Sequence, residues 1–292
     1  MTFLEALNQS STLLYILTAI FSLLFGSFFN VVIYRLPKMM EANWRSECEF
    51  LINGEESEPQ PADKKFGLAF PHSHCPNCQA PVKPWQNIPV ISYLLLKGKC
   101  ASCKTSIGIR YPAIEIITAA IAVFTVSQFG LSSEALAFTL FGWLLLILTM
   151  IDIDHQLLPD SLTLPLLWLG LAWHASFGQI PLQDAVWGAI AGYLTLWSVY
   201  WLFKIVTGKE GMGFGDFKLL AALGAWLGWQ SLPLIIILSS LVGAVLGSLT
   251  LALSKKSQSN PIPFGPYLAI AGWISLFWGA QITENYLRFA GF

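Results

Sequence analysis

Residues 135–151 read Ala-Leu-Ala-Phe-Thr-Leu-Phe-Gly-Trp-Leu-Leu-Leu-Ile-Leu-Thr-Met-Ile, and the run closes on Asp152-Ile153-Asp154-His155. A membrane-spanning helix needs about 20 mostly apolar residues. The stretch therefore predicts a transmembrane helix that ends on two acids. Comparable apolar runs occur at 13–34, 113–130, 161–177, 185–206, 217–230, 233–253 and 266–287. Together they predict an all-α polytopic membrane protein of about eight transmembrane helices. The run at 217–230 is short and rich in Gly and Ala, so it is expected to be tilted or only partly spanning.

Composition agrees. The chain has 292 residues, 55% of them hydrophobic and 11% charged, with a mean hydropathy of +0.60. Soluble domains carry about 25% charged residues. The 12 tryptophans suit a protein with two membrane interfaces. A net charge of −1 gives no electrostatic footing for nucleic acid, which is excluded as a partner. Residues 1–11 contain no Lys or Arg, whereas a cleavable signal peptide needs a basic n-region. The run 13–34 is thus expected to be a true first span.

Positive charge marks the cytoplasmic side of a membrane protein. Ten of the 16 Lys/Arg lie between Arg35 and Arg110. With eight spans, this segment shares a side with Lys204, Lys209, Lys218, Lys255 and Lys256, and only Arg288 lies opposite. The expected division is a first span at 1–34, a cytoplasmic domain at 35–110 and a helical membrane core at 111–292. Within the cytoplasmic domain, residues 41–65, with Glu55, Glu56, Glu58, Pro59 and Pro61, read as loop. No internal repeat is evident.

Acids in or beside a span cost about 2.5–3.5 kcal/mol at mid-membrane on insertion scales, so they read as functional by default. The candidates are Glu115, Asp152, Asp154, Asp160 and Asp216. The expected topology puts Asp152 and Asp216 on one face, at the ends of different spans. Gly213 and Gly215 flank Asp216 with freedom for unusual conformations and close approach. Two neighbouring carboxylates share a proton, so one can activate water while the other polarises a carbonyl. Asp160 reads more simply as an N-cap of the fourth span. Asp154 reads as either interfacial or part of the acid cluster. Glu115 is expected either to pair with Arg110 or to hydrogen-bond across helices.

Cys75-Pro-Asn-Cys78 and Cys100-Ala-Ser-Cys103 are separated by 21 residues. Two such pairs read as a structural tetrathiolate zinc site. A cytoplasmic location disfavours two disulfides. His72 and His74 read as loop residues beside this site, and Cys48 as a spare buried or loop cysteine. In the first span, Gly26 and Ser27 suit tight helix packing, and Asn30 suits a hydrogen bond between helices. Arg35 marks the end of that span.

Several stretches jointly resemble one family. They are Gly26-Ser-Phe-Phe-Asn-Val-Val-Ile-Tyr-Arg-Leu-Pro37, the two cysteine pairs, Arg110-Tyr-Pro-Ala-Ile-Glu115, Ile151-Asp-Ile-Asp-His-Gln-Leu-Leu-Pro-Asp160, Gly211-Met-Gly-Phe-Gly-Asp216 and Pro261-Ile-Pro-Phe-Gly-Pro266. In these the chain resembles the bacterial prepilin peptidases (type IV leader peptidases), membrane aspartyl proteases of the GxGD type. Phe29 stands where leucine is expected. The resemblance implies cleavage of the basic leader of type IV prepilins and secretion pseudopilins. The cut falls after a glycine and before a hydrophobic helix, commonly at phenylalanine, at the cytoplasmic face of the inner membrane. It assigns catalysis to Asp152 and Asp216. The long form, with a large cytoplasmic loop, also N-methylates the new terminus from S-adenosylmethionine. This chain has that loop, with Gly98 just before Cys100, so both activities are implied. No G-x-G-x-x-G fingerprint marks the methyl-donor site. The rival readings are a peptidase without methylation, a proton-coupled transporter and a zinc-bearing scaffold. A transporter would show repeats and mid-membrane acids, and a scaffold would leave the acid pair unexplained.

Overall fold

In the computed structural model, residues 10–53, 66–178, 180–253 and 263–291 are described. The acidic positions Glu55, Glu56 and Glu58, Pro59, Pro61, Lys255 and Lys256 lie outside them. The described residues form nine α-helices: α1 Ser11–Asn53, α2 Ile91–Leu95, α3 Arg110–Phe129, α4 Ser133–His155, α5 Asp160–Phe177, α6 Leu182–Thr207, α7 Phe214–Leu227, α8 Leu232–Leu253 and α9 Gly265–Ala290. No strand occurs among them, only two isolated bridges. Five helical stretches are long and apolar enough to cross a membrane: Ser11–Ile52, Arg110–Phe129, Ser133–His155, Leu182–Thr207 and Trp229–Leu246. The eight apolar runs each fall on a helix, but length and composition alone do not carry α5, α7 and α9 as spans.

The first helix corrects the sequence reading. It does not end near Arg35. It continues through Pro37 to Asn53, and residues 41–53 are helix rather than loop. At about 1.5 Å per residue, its 43 residues reach about twice the ~30 Å hydrocarbon thickness. Pro37 removes one backbone hydrogen bond. Residues 38–53 then contain no further Pro and no Gly, and Glu41 pairs with Arg45 one turn on at 2.7 Å. Cys48 is accordingly exposed on a helix, neither buried nor in a loop.

The chain divides into two compact units, Met1–Trp143 and Leu144–Phe292, with the boundary inside α4. In the first unit α1 packs along α3. At Gly26 the approach is so close that a Cβ would sit 2.6 Å from the Glu115 Cα. One turn on, Asn30 Nδ2 donates to the Tyr111 carbonyl at 3.1 Å, the interhelical bond its position suggested. The first half of α4 joins them through Trp143, whose indole N–H donates to the Thr118 carbonyl at 2.9 Å. Its ring stacks on Phe25 at 5.0 Å. Such bonds matter where no water competes for buried polar groups.

In the second unit α7 is the buried centre. Apart from Lys218, all its residues from Asp216 to Trp226 are buried, among α5, α6 and α9. This explains the Ala- and Gly-rich sequence that read as an imperfect span: small residues let helices approach. The closest approach is where α6 crosses α7, with Gly188 and Gly224 backbone to backbone, so that a Cβ on either would collide with the other's carbonyl. On the α5 side, Trp226 Nε1 donates to the Leu166 carbonyl at 2.8 Å, and the His174 ring Nε2 lies 2.9 Å from the Trp226 carbonyl. Replacing Gly188 by Val would force α6 off α7. Overpacking of this kind costs about 1–3 kcal/mol, so Gly188→Val should lower the unfolding temperature in detergent. An unchanged temperature would mean that the crossing carries no strain.

Candidate active site and metal centre

Three helix ends meet in the second unit. Asp152 closes α4, Asp216 lies in the first turn of α7, and Gly265 opens α9. Asp152 is 5% exposed and Asp216 7%. Both sit where a carboxylate is costly unless it has partners. Asp152 Oδ2 accepts the Gly265 N–H at 3.0 Å, using a donor that a helix start leaves free. The Asp216 backbone N–H donates to the Gly213 carbonyl at 3.3 Å, and Asp216 lies within electrostatic reach of Asp152. The two acids, far apart in sequence, are thus brought into one electrostatic neighbourhood.

The packing leaves no slack. Leu158, in the connection after α4, touches both other helix starts. A Cβ on Gly215 would meet the Leu158 Cβ at 2.7 Å. One on Gly265 would meet Asp152 Oδ2 at 2.6 Å and Leu158 at 3.2 Å. Gly215 therefore supplies the close approach expected of it. Gly213 does not use glycine's freedom, since its backbone is ordinary and extended at φ −81°, ψ 152°.

The other acids separate from this pair. Asp154 is exposed. Asp160 is not the N-cap: Pro159 holds that position and Asp160 opens the helix. Its carboxylate instead receives Lys218 Nζ at 2.6 and 2.7 Å, which ties the first turn of α5 to that of α7 beside Asp216. Glu115, in the first unit, takes the interhelical alternative. Its Oε2 accepts the Val90 N–H at 2.8 Å, with the Ser27 side chain of α1 close by.

Two residues were missed in the sequence as parts of this architecture. Gly265 acts through its backbone, and the only cue was a Phe-Gly-Pro start to a helix. Arg35 does more than mark a boundary. It is 8% exposed, and its guanidinium donates to the carbonyls of Gly67 at 2.8 Å, Leu68 at 3.4 Å and Pro71 at 2.6 Å.

The four cysteines converge, with all their sulfurs within 4.8 Å of one another. Each pair lies in the same tight turn. Cys75 N–H bonds the Ala80 carbonyl and Gln79 N–H returns to Cys75; Cys100 and Lys104 repeat this with Thr105. Gln79 and Lys104 both carry positive φ, 59° and 62°. Bridges between His74 and Pro81 and between Lys99 and Ser106 close the turns. A structural repeat is therefore present where none was evident in sequence. Four Zn–S bonds of about 2.3 Å in a tetrahedron set sulfurs about 3.8 Å apart. Cys75 Sγ and Cys103 Sγ are 3.8 Å apart, so the residues fit a tetrathiolate metal.

The thiols differ in acidity. Hydrogen bonding with Thr105, side chain then backbone, and from Asn77 pulls Cys103 down to about 5. Cys78 receives a backbone hydrogen bond at Ala80 that lowers it, but burial and the neighbouring sulfurs outweigh this and push it up to about 11. Four crowded sulfurs ionise together only with a cation among them. His72 and His74 are exposed, and the His74 ring Nδ1 lies 3.1 Å from the His72 carbonyl.

Residues 139–248 match the Type IV leader peptidase family, and residues 20–129 match the Bacterial Peptidase A24 N-terminal domain. A protein of Stutzerimonas stutzeri named prepilin leader peptidase/N-methyltransferase is 57% identical over 96% of both chains. Proteins of the same name from Pseudomonas aeruginosa and Legionella pneumophila are 57% and 43% identical. They cover 94% of this chain and 94% and 95% of their own. No solved structure matches. On these likenesses along nearly its whole length, the chain belongs to the type IV leader peptidase family.

Proposed function

We propose that the chain is a prepilin leader peptidase of the bacterial inner membrane that cuts with Asp152 and Asp216 as an aspartyl dyad. The observation that carries this is the pair itself: two buried carboxylates from different helices, with Asp152 acting electrostatically on Asp216. Two such acids hold one proton between them. The ionised member takes a proton from water, which attacks the scissile carbonyl. The protonated member donates a hydrogen bond to that carbonyl oxygen. The acid and base roles belong to the pair. The Gly265 N–H holds Asp152 Oδ2 throughout, and Leu158 fills the space between the helix starts.

The charge distribution supports a site facing the cytoplasm, where a basic leader meets its apolar helix. In this reading residues 1–34 are the first span, 35–110 the cytoplasmic domain and 111–292 the peptidase core. Prepilins and pseudopilins are the substrates. The relatives' names support a second step, in which S-adenosylmethionine supplies a methyl group to the freed amino terminus. Cys75, Cys78, Cys100 and Cys103 would hold zinc, which supplies a rigid crosslink between the two cysteine turns.

Asp152→Asn and Asp216→Asn should each lower cleavage of a prepilin by about 10³-fold or more, with unchanged unfolding. Retained cleavage by either folded variant defeats the dyad. Gly265→Ala is subtler, because it removes no acid. The added methyl displaces Asp152 Oδ2, and a shift of about 1 Å costs roughly 10²-fold. Turnover of Gly265→Ala at the native rate would show that the amide contact is dispensable. For the metal, Cys75→Ser should abolish stoichiometric zinc measured by elemental analysis. Thiolates bind metal in competition with protons, so zinc should leave as pH falls and stay as it rises. Zinc retained in acid, or by Cys75→Ser, would count against the four-sulfur site.

A further inference from the structure

Glu115 is the buried carboxylate that the cleavage chemistry does not use. It is 8% exposed, one turn into α3. α1 passes so closely at Gly26 that no side chain fits between. Its hydrogen-bond partner is a neutral donor, the Val90 amide at 2.8 Å, with the Ser27 side chain close by. Taking a carboxylate out of water is costly unless a cation answers it, and a neutral donor offsets only part of that. A glutamine would accept the Val90 hydrogen bond through its amide oxygen without the penalty. A carboxylate has about four acceptor sites, which leaves capacity for a further partner. Keeping the charge is economical only if a cation comes to it.

The surroundings are built rather than incidental. Val90 is β-branched and sits at φ 59°, ψ −50°, a conformation such residues rarely adopt. That conformation accompanies a Val90 N–H bonded to Glu115 at the cap of α2. The same short helix carries Tyr93, whose hydroxyl reaches the Ile107 carbonyl at 3.4 Å. The Tyr93 ring lies against Gly98, two residues before Cys100. Glu115 thus sits where the cysteine turns, α2, α1 and α3 are fastened together within one unit.

We propose that Glu115 receives the α-ammonium group of the cleaved substrate and accepts its proton, so that the free amine can take a methyl group. This rests on the reading of the chain as a methylating peptidase. The ammonium gives one proton to the carboxylate. The amine lone pair then forms the N–C bond to the sulfonium methyl, the S–C bond breaks, and its electron pair stays on sulfur as a neutral thioether. The carboxylic acid returns its proton to solvent.

The test uses the full chain in detergent and the variant Glu115→Gln, whose amide oxygen can accept the Val90 hydrogen bond and which drops the charge. First, binding of a mature-sequence peptide is measured without methyl donor, its N-terminus either free or acetylated. The wild type should prefer the free amine by about tenfold or more, and Glu115→Gln should bind the two alike. Second, product mass after prepilin cleavage reports methylation. Glu115→Gln should cleave within about twofold of wild type and methylate at least 100-fold more slowly, with Glu115→Asp intermediate. Normal methylation by Glu115→Gln overturns the proposal, since a purely structural carboxylate is replaced by the amide. Joint loss of cleavage and methylation also overturns it, as does a raised KM for the methyl donor with unchanged kcat, which would mark a sulfonium site. If the wild type itself transfers no methyl group, the functional reading fails instead.

Discussion

Two buried carboxylates from different helices in a membrane-spanning chain constrain everything around them. Neither can be hydrated as in water, and neighbouring like charges are costly together. The second unit answers by ending helices at the pair. The Gly265 N–H, free because it starts α9, bonds Asp152. This backbone donor comes so close because Gly265 has no side chain, and the missing side chain of Gly215 leaves space for Leu158 between the helix starts. The ion pair of Asp160 with Lys218 holds the starts of α5 and α7 together beside the site. The burial of α7 follows from the same need. A helix that must present one acid at a fixed place is better surrounded than exposed to lipid motion.

Much of this was legible in the sequence because the bilayer makes strong demands. Apolar runs marked each long helix, and the cost of charge singled out the acids. Cysteine spacing marked the metal centre. Three features were hidden, each for a physical reason. The continuation of α1 past Pro37 was invisible because proline usually stops a helix, yet here it costs one hydrogen bond and good helix formers follow. The role of Gly265 was invisible because a backbone amide has no side-chain signature. The repeated cysteine turns were missed because, apart from the cysteines, their residues differ: His74 and Pro81 in one correspond to Lys99 and Ser106 in the other. What repeats is a backbone path, including positive φ at Gln79 and Lys104, which sequence identity does not record.

The segment holding those turns has little apolar core. Phe70, Trp85, Ile88, Ile91, Leu94 and Leu95 are all exposed. Burial therefore cannot fix its position, and polar anchors do so within the first unit. Arg35 gathers three carbonyls of residues 67–71, which lie in no helix or strand. Lysine would serve less well there, since a planar fork reaches several acceptors from one fixed position. Glu115 plays the opposite part at Val90, offering an acceptor to an amide held in a strained conformation. One cation and one anion thus fasten residues 67–71 and Val90 to the α1–α3 pair, and the cysteines join the two turns that follow these anchors. The cation places three of its five N–H groups on carbonyls, whereas the anion accepts from the neutral Val90 amide. No cation is among the hydrogen-bond partners described for Glu115, so its charge is the one left for a ligand to answer.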